Sequence, residues 1–250
     1  MVQIFDLFLP KILSKTYHKS KSLFPLLCFL MDEKNHIHTI PGRAYDSNIY
    51  LIAGTHPAII DTGTGRYTKE VLAEIDNKIN IRDIEAIILT HEHFDHIGGA
   101  IPIKKATENT ACIYAIKKTA EHTKQGVSPF AKLLNLQFKN FSCDQLLDPQ
   151  KEIVLGDHPY KILPTPGHSK GSVCLYQPEL EVLFSGDTVF TDGNVGRTDL
   201  PGGSITELMQ SIESLTHLNI KSLYPGHGTP INQNGDTIIQ RAYEYLLSYY

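Results

Sequence analysis

Residues 90–99 read THEHFDHIGG and concentrate metal-binding side chains in one short segment. Three histidines and one aspartate fall within six residues, and a pair of glycines follows them. Polar side chains are costly to bury unless each finds a partner. Neutral imidazole nitrogen and carboxylate oxygen are ligands that suit zinc and iron. We therefore expect a metal site here, with the ligands His91, His93, Asp95 and His96.

The apolar run IEAIIL (84–89) comes directly before this segment and predicts a short buried strand. A strand that ends in a turn can direct closely spaced side chains into one pocket. Gly98 and Gly99 allow a tight turn, because glycine accepts backbone angles that other residues avoid. The predicted metal site should therefore lie at the end of this strand.

Three more ligand candidates follow predicted strands further along the chain. His168 lies in PTPGHSKGS, Asp187 in LFSGDTVF and His227 in YPGHGTP, and a glycine directly precedes each of them. With the first segment they supply five histidines and two aspartates, which is enough for two metal ions. The remaining histidines are isolated, and an isolated histidine is usually a surface or structural residue. Among them are His36, His38, His56, His122, His158 and His217.

The composition is that of a soluble globular protein. Of 250 residues, 41% are hydrophobic and 20% are charged. The net charge of −4 argues against a nucleic-acid partner, which leaves a basic footprint on the proteins that bind it. The cysteines form no C-x-x-C pair, so we expect free thiols in a reducing compartment and a cytoplasmic protein. They are Cys28, Cys112, Cys143 and Cys174.

The first 30 residues differ from the rest of the chain. They hold four lysines against one acid, Asp6, and the apolar stretch LFPLLCFLM (23–31) is too short to span a bilayer. No small-residue cleavage site of a signal peptide follows it. We predict that residues 1–30 are an appendage outside the fold, that residues 31–250 form the functional domain, and that there is no stable membrane span.

Predicted strands come in two groups, and helices follow each group. NIYLI (48–52) and PAIID (57–61) are spaced like a hairpin. Apolar residues recur at helical spacing in 68–79, 205–218 and 236–250. Further strand-like runs are ACIYAI, YKILPTP, SVCLYQP, VLFSGD and SLYPGHG, whereas residues 117–149 mix helix with loop. This order predicts one α/β domain with two sheets and outer helices.

The ordered motif set from Tyr50 to His227 resembles that of the metallo-β-lactamase fold superfamily. Asp61, in IIDTG, matches the aspartate of the family's first motif, which supports the metal ligands. The resemblance implies an αββα sandwich of two mixed β-sheets with outer helices. It also implies that the metal site lies at one edge of the sandwich, between the sheets.

The resemblance further implies two divalent metal ions, zinc in the first instance and iron as the alternative. One metal would take His91, His93 and His168, the other would take Asp95, His96 and His227, and Asp187 would bridge them. Asp95 and Asp187 are the predicted catalytic residues. Metal lowers the pKa of bound water to about 7, so a bridging metal-bound hydroxide would attack an acyl carbonyl.

The segment VGRTDLPGGS (195–204) resembles a loop of small glyoxalase-II-like hydrolases. Arg197 and Asp199 are not ligands in that comparison, and we expect an ion pair that orders the loop. A thioester suits the site because a thiolate leaves without a general acid. Only 23 residues follow His227, whereas full-length glyoxalase II enzymes carry a helical domain that helps bind glutathione. The substrate could therefore carry a thiol other than glutathione, or it could be a smaller thioester.

Other functions remain open at this point. GRTD recurs in persulfide dioxygenases, which hold one iron at the positions of His91, His168 and Asp187. Metal count and oxygen consumption would separate such an oxidoreductase from a hydrolase. A nuclease of this fold would need an RNA-binding module or a basic face, and the sequence offers neither. A non-catalytic metal-binding protein fits least, because the ligand set is complete. The sequence does not define the acyl group or the oligomeric state.

Overall fold

The structure is a computed structural model, and it describes residues 36–126 and 138–249. The predicted appendage at residues 1–30 lies outside the described residues, so it stays a prediction. No helix in the described ranges is long and apolar enough to cross a membrane. Cys112, Cys143 and Cys174 carry free thiols in the same ranges.

The first sheet has six strands in the order of the chain. The first strand pairs antiparallel with the second and the second with the third, whereas the third to sixth strands are parallel to one another, so the sheet is mixed. The strands are β1 (Ile37–Ile40), β2 (Ile49–Ile52), β3 (Ala58–Ile60), β4 (Ala86–Ile88), β5 (Cys112–Ala115) and β6 (Gln145–Leu146).

The second sheet has five strands, in the order β11, β10, β9, β8, β7. Only the pair β10 and β11 is parallel, so this sheet is also mixed. The strands are β7 (Glu152–Leu155), β8 (His158–Pro164), β9 (Val173–Gln177), β10 (Val182–Gly186) and β11 (Ser222–Pro225).

Six α-helices complete the described part of the chain, with a 3₁₀ turn at Ile81–Asp83. The helices are α1 (Thr68–Asp76), α2 (Phe94–Ile97), α3 (Ala100–Ala106), α4 (Lys117–Gln125), α5 (Ile205–Leu215) and α6 (Gly235–Tyr249). The three periodic segments of the sequence correspond to α1, α5 and α6. Two of these helices end three residues earlier than predicted, at Asp76 and Leu215.

Alternating side chains divide the core into layers. In β2, Ile49 and Leu51 pack against the helices of the first half, whereas Tyr50 and Ile52 face the second sheet. In β10, Phe184 joins the layer between the sheets, and Leu183 packs against α5 and α6. This alternation is what a strand buried on both faces requires. The αββα sandwich of two mixed sheets is confirmed.

Three strands were not anticipated from the sequence, and all three form sheet edges. β6 has only two residues, and both are exposed. β7 alternates exposed and partly buried positions. The third, β1, pairs with β2 at the far edge of the first sheet and is only partly buried. Edge strands depend on hydrogen bonds to one neighbour more than on burial, so their apolar signal is weak.

Candidate metal centre

All seven predicted ligands lie just beyond the ends of strands. β4 ends at Ile88, and the chain then turns through His91 and His93 into α2, which carries Asp95 and His96. The other three follow strands of the second sheet. His168 comes after β8, Asp187 directly follows β10, and His227 comes two residues after β11. The two sheets therefore bring the four segments to one edge of the sandwich.

Potential ligand atoms of these side chains form three overlapping groups, and within each group the atoms lie within 4.8 Å of one another. One group is His91, His93 and His168, another is Asp95, His96 and His227, and the third is His91, His96 and Asp187. None of the six isolated histidines named above belongs to such a group in the described ranges.

Asp187 lies at the centre of the cluster. Its Oδ1 is 3.3 Å from Nε2 of His96, and its Oδ2 is 3.5 Å from Nε2 of His168. The same Oδ2 lies 3.7 Å from Nε2 of His227. Nε2 of His227 also lies 3.2 Å from Oδ2 of Asp95. One carboxylate thus reaches both halves of the cluster.

Three buried polar atoms of the cluster make no hydrogen bond: His91 Nε2, His96 Nε2 and Asp187 Oδ1. Buried polar atoms without partners are rare, and each calls for an explanation. These three converge on one another, and two are imidazole nitrogens and one is a carboxylate oxygen. The donor set therefore fits a divalent metal ion, which would supply the missing partner.

Hydrogen bonds at the back of the rings fix which nitrogen faces the cluster. Nδ1–H of His96 donates to Oδ2 of Asp61 over 2.7 Å, and Nδ1–H of His168 donates to the carbonyl of Arg197 over 2.8 Å. Thr90 donates its hydroxyl to Asp61 and lies 3.1 Å from Nδ1 of His91. These bonds turn Nε2 of His96 and of His168 toward the centre of the cluster, where Nε2 of His168 also lies 2.8 Å from Nδ1 of His93.

Burial keeps two of the imidazoles neutral. It lowers the pKa of His91 well below its ordinary value and lowers the pKa of His93 to about 4, with added effects from neighbouring histidines. Burial raises the pKa of Asp187, but the charges and hydrogen bonds of the neighbouring histidines outweigh it, so the pKa is well below normal. Neutral imidazoles beside an ionised carboxylate are the states that bind metal.

A cavity of about 590 Å³ opens onto the cluster. One side is formed by five of the cluster residues: His93, Asp95, His168, Asp187 and His227. The other side comes from Phe190 and from the segment that contains Val195, Gly196, Arg197 and Leu200. A substrate in this cavity would lie directly against the cluster.

The loop singled out as VGRTDLPGGS therefore lines the cavity. Arg197 and Asp199 form the predicted ion pair, with nitrogen–oxygen distances of 2.7 and 2.6 Å, and both side chains are exposed. Sequence reasoning missed the parts played by Phe190 and Leu200. Phe190 comes three residues after Asp187, but nothing in the local sequence shows that its ring turns toward the cavity.

Known proteins provide an independent comparison. The model of the metallo-beta-lactamase superfamily matches residues 42–227. A probable metallo-hydrolase of Methanocaldococcus jannaschii is 37% identical over 200 residues, which cover 75% of this chain and 90% of that protein. Hydroxyacylglutathione hydrolase GloC of Haemophilus influenzae is 30% identical over 77% of this chain and 91% of its own length. The human acyl-coenzyme A thioesterase MBLAC2 is 28% identical over 76% of this chain and 77% of its own length.

Solved structures agree with this family. The B3 metallo-beta-lactamase BLEG-1 superposes with a TM-score of 0.69 at 29% identity, over 80% of this chain and 96% of that one. TTHA1623, solved in a di-iron-bound form, superposes with a TM-score of 0.67 at 28% identity, over 83% of this chain and 99% of that one. The fold, the His and Asp cluster and the extent of the family match lead to one conclusion: this chain belongs to the metallo-beta-lactamase superfamily, whose members include metal-dependent hydrolases.

Proposed function

We propose that the protein is a hydrolase with two metal ions that cleaves a thioester. The observation that carries this proposal is the position of Asp187, whose two carboxylate oxygens approach histidines in both halves of the cluster. A single-metal site would need only one of the two halves. A carboxylate that reaches both is suited to hold two ions at a fixed separation.

The proposed ligands follow from the groups of converging atoms. His91, His93 and His168 would hold one ion, and Asp95, His96 and His227 would hold the other. Asp187 would contact both ions. Neutral imidazoles with carboxylates suit zinc, which we take as the resident metal, with iron as the alternative.

Bound metal ions would supply a water molecule of lowered pKa and would polarise the acyl carbonyl. The chain itself holds the ligands in place. Asp61 and the Arg197 carbonyl fix the ring orientations of His96 and His168, and Asp95 and Asp187 would bring negative charge to the metal ions. The cavity wall opposite the cluster keeps the acyl group against it and limits the entry of bulk water.

The nature of the leaving group favours a thioester. Apart from the proposed ligands, Arg197 is the only ionisable side chain among the described residues that line the cavity. The hydrogen bond and charge of Asp199 raise the pKa of Arg197 further, so Arg197 does not release a proton near neutral pH. An amide nitrogen needs a proton to leave, whereas a thiolate does not.

Two relatives support the same substrate class. GloC is named as a hydroxyacylglutathione hydrolase and MBLAC2 as an acyl-coenzyme A thioesterase, and both names denote thioester cleavage. Free thiols at Cys112, Cys143 and Cys174 are consistent with a cytoplasmic protein, in which thiols stay reduced.

Metal analysis of anaerobically purified protein, combined with a thioester assay, tests the proposal. We expect two metal ions per chain and thiol release that stops when a chelator removes them. One iron per chain, with oxygen consumed in the presence of a persulfide and no thioester cleavage, would replace the hydrolase with a dioxygenase. A metal-loaded protein without either activity would indicate that the protein binds metal but is not an enzyme of either class.

A further inference from the structure

The cavity wall opposite the metal-binding cluster is apolar. Phe190, Val195 and Leu200 provide its apolar side chains, Arg197 provides its one charged side chain, and Gly196 contributes backbone only. All three apolar side chains are partly buried. An apolar surface of this kind, next to convergent polar groups, is typical of a site that binds a small molecule.

The wall adjoins the cluster directly. The ring of Phe190 meets the ring of His227 edge-on, with the centroids 6.2 Å apart. On the other side, Gly196 packs so closely on His168 that an added Cβ would lie 2.8 Å from Cγ of that ring. A group that contacts this wall is therefore the part of the substrate nearest to the reacting carbonyl.

Backbone hydrogen bonds hold the wall in place. Val189 and Val195 form an antiparallel bridge, and the turn between them is closed by bonds from Phe190 to Asn194 and from Gly193 to Phe190. Val195 also packs against the core between the second sheet and α5 and α6. A wall that is already ordered can discriminate between substrates without a cost of ordering on binding.

The one charged side chain on this wall already has a partner. Both carboxylate oxygens of Asp199 accept hydrogen bonds from the guanidinium of Arg197. An acyl group with its own carboxylate would have to compete with Asp199 for this cation. Because Asp199 already neutralises this cation, the wall attracts a charged acyl group less than an unpaired arginine would.

We infer that the substrate's acyl group is uncharged and apolar, of aliphatic character, and that it packs against Phe190, Val195 and Leu200. This inference rests on the thioesterase function proposed above. The common thiol carriers bear amide groups close to the sulfur, and these need hydrogen-bond partners. The three apolar side chains of the wall supply none, so the acyl side of the thioester fits them better than the carrier side.

A series of thioesters with one small carrier, N-acetylcysteamine, tests this inference on the zinc-loaded protein. We expect kcat/KM for butanoyl to exceed that for acetyl about 15-fold, because butanoyl has two more methylenes and burial of each favours binding by about fourfold. Hexanoyl should be hydrolysed better still, and lactoyl and succinyl worse than butanoyl. If kcat/KM for lactoyl or succinyl equals that for hexanoyl, the thioesterase function stands, but the inference of an apolar acyl group is wrong.

Two substitutions and a binding measurement complete the test. Leu200→Asn should lower the ratio of hexanoyl to acetyl kcat/KM about tenfold, whereas Leu247→Asn, on the exposed face of α6, should leave that ratio unchanged. Calorimetry with hexanoate, acetate and lactate gives a reading that needs no turnover. If no thioester is cleaved but hexanoate binds more tightly than acetate and loses this advantage in Leu200→Asn, the proposed function fails while the apolar site remains. Equal binding of the three acids would overturn the site.

Discussion

Nδ1 of His96 lies 2.7 Å from Oδ2 of Asp61, and neither side chain is more than 3% exposed. Asp61 directly follows β3, whereas His96 lies on the short helix α2 after β4. The carboxylate also accepts hydrogen bonds from the backbone and hydroxyl of Thr90. It therefore connects two strand ends and orients a ring whose other nitrogen faces Asp187.

We predict that Asp61→Asn weakens metal binding about 10- to 100-fold, because the partners that orient metal-binding histidines have effects of this size. Asp61 has a φ of 58°, and asparagine is among the few residues that accept this backbone conformation. The change should therefore remove the charge without a large strain. Competition with a chromophoric chelator measures the affinity. Asp76→Asn, at an exposed position on α1, serves as the matched control, and equal affinities for the two variants would contradict the role given to Asp61.

His93→Ala and Asp187→Ala should each abolish thioester hydrolysis while the chain stays folded. Each variant removes a proposed ligand, and His93 lines the cavity together with Asp187. Circular dichroism checks the fold, and metal content is measured on the same samples. His122→Ala, on α4 and outside the clusters of ligand atoms, should match the wild type. Wild-type turnover in either His93→Ala or Asp187→Ala would contradict the proposed mechanism.

The metal-free protein should lose stability as the pH falls from about 6.5 to about 4. Burial, followed by the effect of His168, lowers the pKa of His93 from 6.5 to about 4. In this window the unfolded chain takes up a proton that the folded chain does not, so unfolding becomes more favourable. His93 alone contributes about 3 kcal/mol of this loss. His91, whose pKa burial also lowers, acts in the same direction.

Urea denaturation at pH 7 and pH 5, with a chelator present, measures this loss. His93→Gln should lose less stability between the two pH values than the wild type, because glutamine does not titrate. The pKa of His96 is raised by Asp187 and Asp61 in spite of its burial, so its contribution changes only above about pH 6.5. A wild type and a variant with the same pH dependence would show that His93 is not held neutral.

Gly196→Ala should reduce both metal affinity and hydrolysis. An added Cβ would overlap the carbonyl oxygen of Asp187 and would lie 2.8 Å from the ring of His168. The loop would have to move, and the hydrogen bond from His168 to the Arg197 carbonyl would be lost. Gly193→Ala is the matched control in the same loop, because its φ of 85° brings strain of about 1–2 kcal/mol but its Cβ would have space. If Gly193→Ala weakens metal binding as much as Gly196→Ala, general destabilisation and not the contact with His168 is the cause.

The structure brings together the seven ligand candidates predicted from the sequence, whereas three strands, β1, β6 and β7, were not anticipated. The predicted ligands stand at strand ends, and strand ends meet at sheet edges whatever the length of the loops between them. The strands buried on both faces were also predicted correctly, because continuous apolar runs such as those of β3 and β4 are typical of such strands. β6 and β7 gave weaker patterns, because exposed edge positions accept polar residues.

The cavity wall shows what local sequence cannot reveal. Leu200 and Phe190 are ten positions apart, and they face the same space only because the chain reverses between Val189 and Val195. The turn residues Asp192, Gly193 and Asn194 mark the reversal in the sequence, but they do not show which side chains face the cavity. The ion pair of Arg197 and Asp199 was easier to anticipate, because the two residues are near neighbours in the sequence.

The loop that supports His168 touches it through the main chain. The Arg197 carbonyl accepts its hydrogen bond, and Gly196 presents bare backbone to its ring. The side chains of Val195 and Leu200 line the cavity instead. We therefore expect substitutions at those two positions to change which acyl groups are cleaved more than they change metal binding.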